Sequence, residues 1–119
     1  MNHNHVKMLR APGADGIQKE WVPKVGDVYY DEGEWTVCVS PIGVRYLIDY
    51  GADILWLPRI EDYMGMCRNK DPHTLSYDIA YFAEAEKVRC MSYETWSEFM
   101  LAFVQHECKG LSWDGSIWR

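Results

Sequence analysis

No stretch of this 119-residue chain approaches the roughly 18 consecutive apolar residues of a membrane span, which argues against a transmembrane helix. The N-terminus lacks the apolar run of a secretory signal. There is no Gly-rich phosphate loop, neither G-x-x-x-x-G-K nor G-x-G-x-x-G, so the common nucleotide cradles are excluded. A basic surplus is also missing. The formal net charge is −6, and no basic footprint for direct nucleic-acid binding is present. The four cysteines, Cys38, Cys67, Cys90 and Cys108, are widely spaced and form no Cys-x-x-Cys pair. That pattern predicts reduced, mostly buried thiols in a cytoplasmic protein, not a disulfide framework or a zinc knuckle. No internal repeat and no low-complexity segment occurs.

What is present is an ordinary globular balance with an excess of rings: six Trp and eight Tyr. Such rings serve interfaces as well as cores. The acidity is uneven. Residues 1–24 carry +2, residues 25–62 carry −6 and residues 63–119 carry −2. An acidic surface suits solubility, a basic protein partner or a cation.

Residues 1–20 read as a flexible segment, polar at first and turn-rich over Ala11-Pro-Gly-Ala-Asp-Gly16. His3 and His5 alternate, but nothing nearby completes a metal coordination sphere. Residues 21–119 read as a single α+β domain. Val28-Tyr29-Tyr30 favours strand, Asp31-Glu-Gly-Glu34 a hairpin turn, and Trp35 to Ser40 a second, alternating strand. Val44 to Tyr50 reads as a third strand, Gly51-Ala-Asp53 as a turn, and Ile54 to Leu57 as a short fourth strand. The predicted fold is a small antiparallel β-meander of about four strands, followed by two or three helices on one face.

The helices are predicted at 59–67, at 76–87 and between Ser92 and Gly110. The last is the best marked. Ser92 can cap it, Glu94 and Lys109 suit the two ends of the dipole, and Gly110 can take the left-handed conformation that closes it. Trp96, Met100, Phe103 and Val104 form its stripe. Phe99-Met-Leu-Ala-Phe-Val104 is wider than one stripe needs, which implies either burial on two sides or a homodimer through Phe99, Leu101 and Phe103. In the tail, Asp114-Gly115 marks a turn that folds Trp113 and Trp118 back onto the body.

Candidate chemistry is sparse. His106 and Cys108 would point about 200° apart on a helix and cannot readily share a metal. No metal site or cofactor is predicted. Arg45, Arg59 and Arg68 can pair an anion, and Arg59 stands beside a helix N-terminus. The aromatics Trp35, Tyr46 and Trp56 fall on the predicted sheet, so Trp35, Tyr46, Trp56 and Arg59 form the candidate binding set. Asp31, Glu32 and Glu34 crowd a hairpin tip that could meet a cation or a basic partner. An enzyme reading, a small hydrolase or nucleotide-processing activity, would use His73 or His106 with an acidic neighbour. A DNA mimic or virion component would need the carboxylates aligned on one surface.

Trp56-Leu-Pro-Arg59, Leu101-Ala-Phe-Val104, Gly110 and Trp113-Asp-Gly-x-x-Trp118 together resemble a group of small proteins encoded by bacteriophages and prophages. The resemblance spans residues 54–118 and leaves out the N-terminal sheet. It implies an accessory protein acting on host machinery or host defence in the host cytoplasm, by binding a host protein or a small anionic, nucleotide-like ligand. It brings no catalytic residue with it.

Overall fold

Val28–Asp31 (β1) and Glu34–Val37 (β2) form the predicted hairpin, with Tyr30 opposite Trp35 and Asp31 opposite Glu34. A third strand, Leu55–Leu57 (β3), pairs antiparallel with the other side of β1, giving the order β2-β1-β3. The computed structural model describes residues 3–31, 33–50, 54–67 and 71–119. Its helices are α1 (His3–Arg10), α2 (Asp15–Lys19), α3 (Pro41–Tyr50), α4 (Ile60–Met66), α5 (Pro72–Val88) and α6 (Trp96–Lys109). The architecture is α+β.

Several expectations are corrected here. Residues 44–50, read as a third strand, are the body of α3. Ser40 starts that helix by accepting from the Gly43 amide at 3.1 Å, and Pro41 fills a first-turn position that needs no donor. The β-branched and aromatic residues of this run suit a strand, but Val44 and Leu47 sit three apart and both turn inward. The predicted four-strand meander is therefore a three-stranded sheet among the described residues, with its third strand on the far side of β1. The turn predicted at Gly51, Ala52 and Asp53 lies outside the described residues.

The second correction concerns the N-terminus. Residues read as flexible form α1 and α2 and supply Val6, Met8, Leu9, Ala14 and Ile17 to the core. His5, Met8 and Leu9 fall at i, i+3 and i+4, so one side of α1 meets the protein.

The pleat sorts the sheet into two faces. Val28, Tyr30, Trp35, Leu55 and Leu57 face the main core, which α1, α4, α5 and α6 fill. Tyr29 and Cys38 face a smaller cluster with Leu47 and Ile54, covered by α3. Helices thus lie on both faces, not on one. The outer edge of β3 is occupied by the Gln18 side chain, which bonds to both backbone groups of Trp56.

Helix α6 runs through the middle. Met100 to Gln105 are buried without a break, and Glu98 is buried as well. The wide apolar band is explained by burial on several sides within one chain, and Leu101 and Phe103 are fully enclosed there. At about 1.5–3 kcal/mol for each fully buried Leu, Val or Phe side chain, this helix holds much of the fold together. The cap is Thr95, not Ser92: its hydroxyl accepts from the Glu98 amide at 3.3 Å. Gly110 closes the other end with φ at 67°, as predicted. Trp96 is 67% exposed and leaves the predicted stripe.

The tail folds back as expected. Asp114 Oδ1 accepts from the Ser116 and Ile117 amides, each at 2.8 Å, and its Oδ2 accepts from Arg119 Nε at 2.7 Å. Trp113 and Trp118 are buried, and Trp118 Nε1 donates to the Met8 carbonyl at 2.9 Å. Among the described residues no helix is long and apolar enough to cross a membrane.

Candidate functional site

Arg59 caps the start of α4, where its amide donates to Asp62 Oδ2 at 2.8 Å. Pro58 before it turns the chain sharply out of β3. The Arg59 guanidinium reaches back to the sheet and donates to the Gly26 carbonyl at 2.5 Å, while staying open to solvent. Trp35 projects from β2 on the same face, edge-on to Tyr30. Between them lies a cleft of about 500 Å³. Its walls are Trp35, Leu57, Pro58 and Ile60. Its polar groups are Arg59 and Glu61 at the start of α4, His5 from α1, and Thr95 and Ser97 from the start of α6.

Beneath this cleft is a polar network that binds three helices together. His5 Nε2 and the Tyr63 hydroxyl are 2.6 Å apart, with the rings edge to face. Burial lowers the His5 pKa to about 4, against an opposing pull from Glu98, so the ring is neutral at pH 7. Burial also raises the Tyr63 phenol well above its ordinary value, with Asp62 adding to the effect. The Glu98 carboxylate accepts from Thr95 Oγ1 at 2.9 Å and from Asn4 Nδ2. These groups hold α1, α4 and α6 in register under the cleft, and Tyr63 and Glu98 are fully enclosed.

Of the predicted binding set, the fold brings Trp35 and Arg59 together and separates the other two. Trp56 is only 4% exposed and stacks on Trp21, with ring centroids 6.0 Å apart and planes 7° from parallel. It lines a different, shallow recess of about 230 Å³ with Lys24, Glu61 and Asp62. Tyr46 belongs to α3 on the opposite face of the sheet, where its phenol helps burial raise the Tyr29 pKa. Arg45 pairs with Asp49 at 3.2 Å. Arg68 and Glu32 lie outside the described residues.

His73 and His106 do not line the cleft. His73 sits at the exposed start of α5, edge-on to Tyr77 at 5.1 Å. His106 lies near the end of α6, 5.2 Å from the Phe82 ring and 3.6 Å from Glu107. Of the thiols, Cys38 and Cys67 are buried and Cys90 and Cys108 are exposed. Among the described residues no three His, Cys, Asp or Glu side chains gather as a metal site would require.

The residues missed from sequence are His5, Tyr63 and Glu98. The i, i+3, i+4 spacing of His5, Met8 and Leu9 was a usable signal for His5. Glu98 stands three places after Thr95, the spacing of a capping pair, and that was the signal for its inward turn. A second concavity, an apolar groove of about 1010 Å³, runs between α5 and the start of α6, lined by Ile79, Ala83, Met91, Trp96 and Phe99. Glu86 closes its floor, held by Arg89 and by the Tyr93 hydroxyl at 2.7 Å. No protein-family model, curated protein or solved structure matches the chain.

Proposed function

We propose that this chain is a non-enzymatic binding protein, an accessory factor of phage or prophage origin, and that it takes a small anion with an apolar or planar body. The cleft beside Trp35 and Arg59 is the seat of that ligand. The observation that carries this reading is the meeting of a half-buried indole and a solvent-open guanidinium, from separate elements, across one mostly apolar cavity. A planar body stacks on the indole, and the anionic group meets the guanidinium and the Ser97 hydroxyl. The resemblance in residues 54–118 to phage-encoded proteins supports an accessory role in the host cytoplasm, counter-defence included. The cysteines are present as thiols, which suits a reducing compartment.

Titration with nucleoside monophosphates, followed by calorimetry and tryptophan fluorescence, tests the reading. Micromolar binding that falls at least tenfold in Arg59→Ala, and again in Trp35→Ala, is the result expected. Absence of binding by the wild-type chain, or an Arg59→Ala variant that binds as well as wild type, rejects it.

A further inference from the structure

The polar groups of the Trp35–Arg59 cleft are not equally available to a ligand. Thr95 is committed: its hydroxyl donates to the Glu98 carboxylate and accepts from the Glu98 amide. Arg59 and Glu61 carry opposite charges, so with His5 neutral the lining has no net formal charge. Net attraction therefore holds an anion there only weakly, and directed hydrogen bonds do most of the selecting. Ser97 supplies one neutral donor. His5 lines the same cleft, and what it offers depends on which ring nitrogen carries the proton.

Tyr63 fixes that proton. Its hydroxyl is fully enclosed, and His5 Nε2, 2.6 Å away, is its one hydrogen-bond partner among the described residues. Burial raises the phenol well above its ordinary pKa, so it keeps its hydrogen. Were Nε2 protonated, it would donate to the phenol oxygen and leave the phenol hydrogen facing the core with no acceptor. An enclosed donor without a partner forfeits its hydration and gains nothing in return. Nε2 is thus the acceptor, Tyr63 donates to it, and the neutral ring carries its proton on Nδ1. Nδ1 takes no hydrogen bond among the described residues. It is not one of the side-chain atoms sealed from solvent without a partner, and His5 meets the cleft with the 7% of its surface that stays open. The Glu98 carboxylate, which acts on His5 through space, is occupied by Thr95 and Asn4.

We propose, resting on the reading of this cleft as an anion site, that His5 determines its specificity: the Nδ1–H donates to an oxygen of the ligand's anionic group, and Tyr63 is the positioning residue that holds the ring in that tautomer. The two bonds run in one direction, from the Tyr63 hydroxyl to Nε2 and from Nδ1 to the ligand. A ring locked as a donor accepts a phosphate or carboxylate oxygen and turns away an amine or ammonium at the same point, where two donors would face each other. The ring cannot reverse its polarity without stranding the phenol. It also stays uncharged until the pH approaches 4, so the preference holds across the neutral range.

Long-range proton–nitrogen NMR of the imidazole rings in the full, nitrogen-labelled chain at pH 7 is the test, without and with a saturating nucleoside monophosphate. His5 should show a protonated Nδ1 and an unprotonated Nε2, and the ligand should shift Nδ1. By calorimetry, His5→Phe should bind the nucleotide about tenfold or more weakly, the loss of one hydrogen bond to a charged group. Tyr63→Phe should weaken binding as well and mix the two tautomers of His5, a change that a merely structural role would not produce. The wild-type spectra need no variant, so they decide the question even if a substituted chain fails to fold. Nucleotide binding that depends on Arg59, with His5 protonated at Nε2 or with Nδ1 unmoved at saturation, overturns this proposal and leaves the cleft's assignment standing. Absence of nucleotide binding by the wild-type chain overturns both.

Discussion

Gln18 holds Trp56 by both of its backbone groups: Oε1 accepts from the Trp56 amide at 2.7 Å, and Nε2 donates to the Trp56 carbonyl at 2.9 Å. The primary amide imitates one rung of a neighbouring strand. It ties α2 to a strand 38 positions away and closes one edge of the sheet.

Gln18→Ala is therefore expected to destabilise the protein by about 1–3 kcal/mol, two hydrogen bonds at roughly 0.5–1.5 kcal/mol each. Urea unfolding followed by tryptophan fluorescence reads this directly, since Trp56 and Trp21 stack beside the clasp. An unchanged midpoint would mean that water replaces the amide at no cost.

Gly13 and Gly115 separate backbone strain from crowding. Both have strongly positive φ, 99° and 101°. A Cβ on Gly13 would stand 2.9 Å from the Trp118 Cβ, whereas one on Gly115 would meet nothing within 4 Å. Gly115→Ala should cost about 1–2 kcal/mol from conformation alone. Gly13→Ala adds overpacking and should cost about 2–4 kcal/mol in all. Melting temperatures in the order wild type, Gly115→Ala, Gly13→Ala are the expected result, and equal values for the two variants would contradict it.

His5 makes stability depend on pH. Its pKa is lowered from 6.5 to about 4 in the folded chain, chiefly by burial, so the unfolded chain binds more protons between these values. Its contribution is complete above pH 6.5 and is lost as pH falls toward 4. The full loss is about 3 kcal/mol at 1.36 kcal/mol per pKa unit. His5→Gln should be less stable at pH 7 yet show a flatter decline between pH 7 and 4.5 by thermal denaturation. Parallel declines would remove His5 as the titrating group.

Trp118→Ala tests whether the C-terminal ring pair belongs to the core. The side chain is 6% exposed, packs 5.0 Å from Trp113 and bonds to the Met8 carbonyl. Truncating a buried Trp costs about 3–5 kcal/mol. Ile117→Ala, one position away but 38% exposed, should cost far less. Chemical denaturation of the pair settles the comparison.

Much of the architecture was legible in the chain, and the legible parts share a range. The hairpin from Val28 to Val37, the Gly110 cap and the Asp114 turn all rest on residues within nine positions of each other. Pro72 and Thr74 likewise mark the start of α5, although that helix begins earlier than its composition implied. The misread segment, 44–50, had strand-favouring residues and helical spacing at once. Packing of Leu47 against Cys38 and Ile54 resolved it. Of the binding set, only the pair on either side of the cleft came together, because exposure of a ring depends on what the rest of the chain lays over it.

The sequence alone determined the hairpin, the Gly110 cap, the Asp114 turn, the α+β class and the long C-terminal helix, since short-range sterics and hydrogen bonding suffice for these. Tertiary structure alone decided that Trp56 lies inside and Trp35 borders a cavity, that His5 is neutral and enclosed, and that β3 joins β1 on the side away from β2. Those outcomes depend on contacts between residues tens of positions apart, and local propensity carries no information about which distant surfaces will meet.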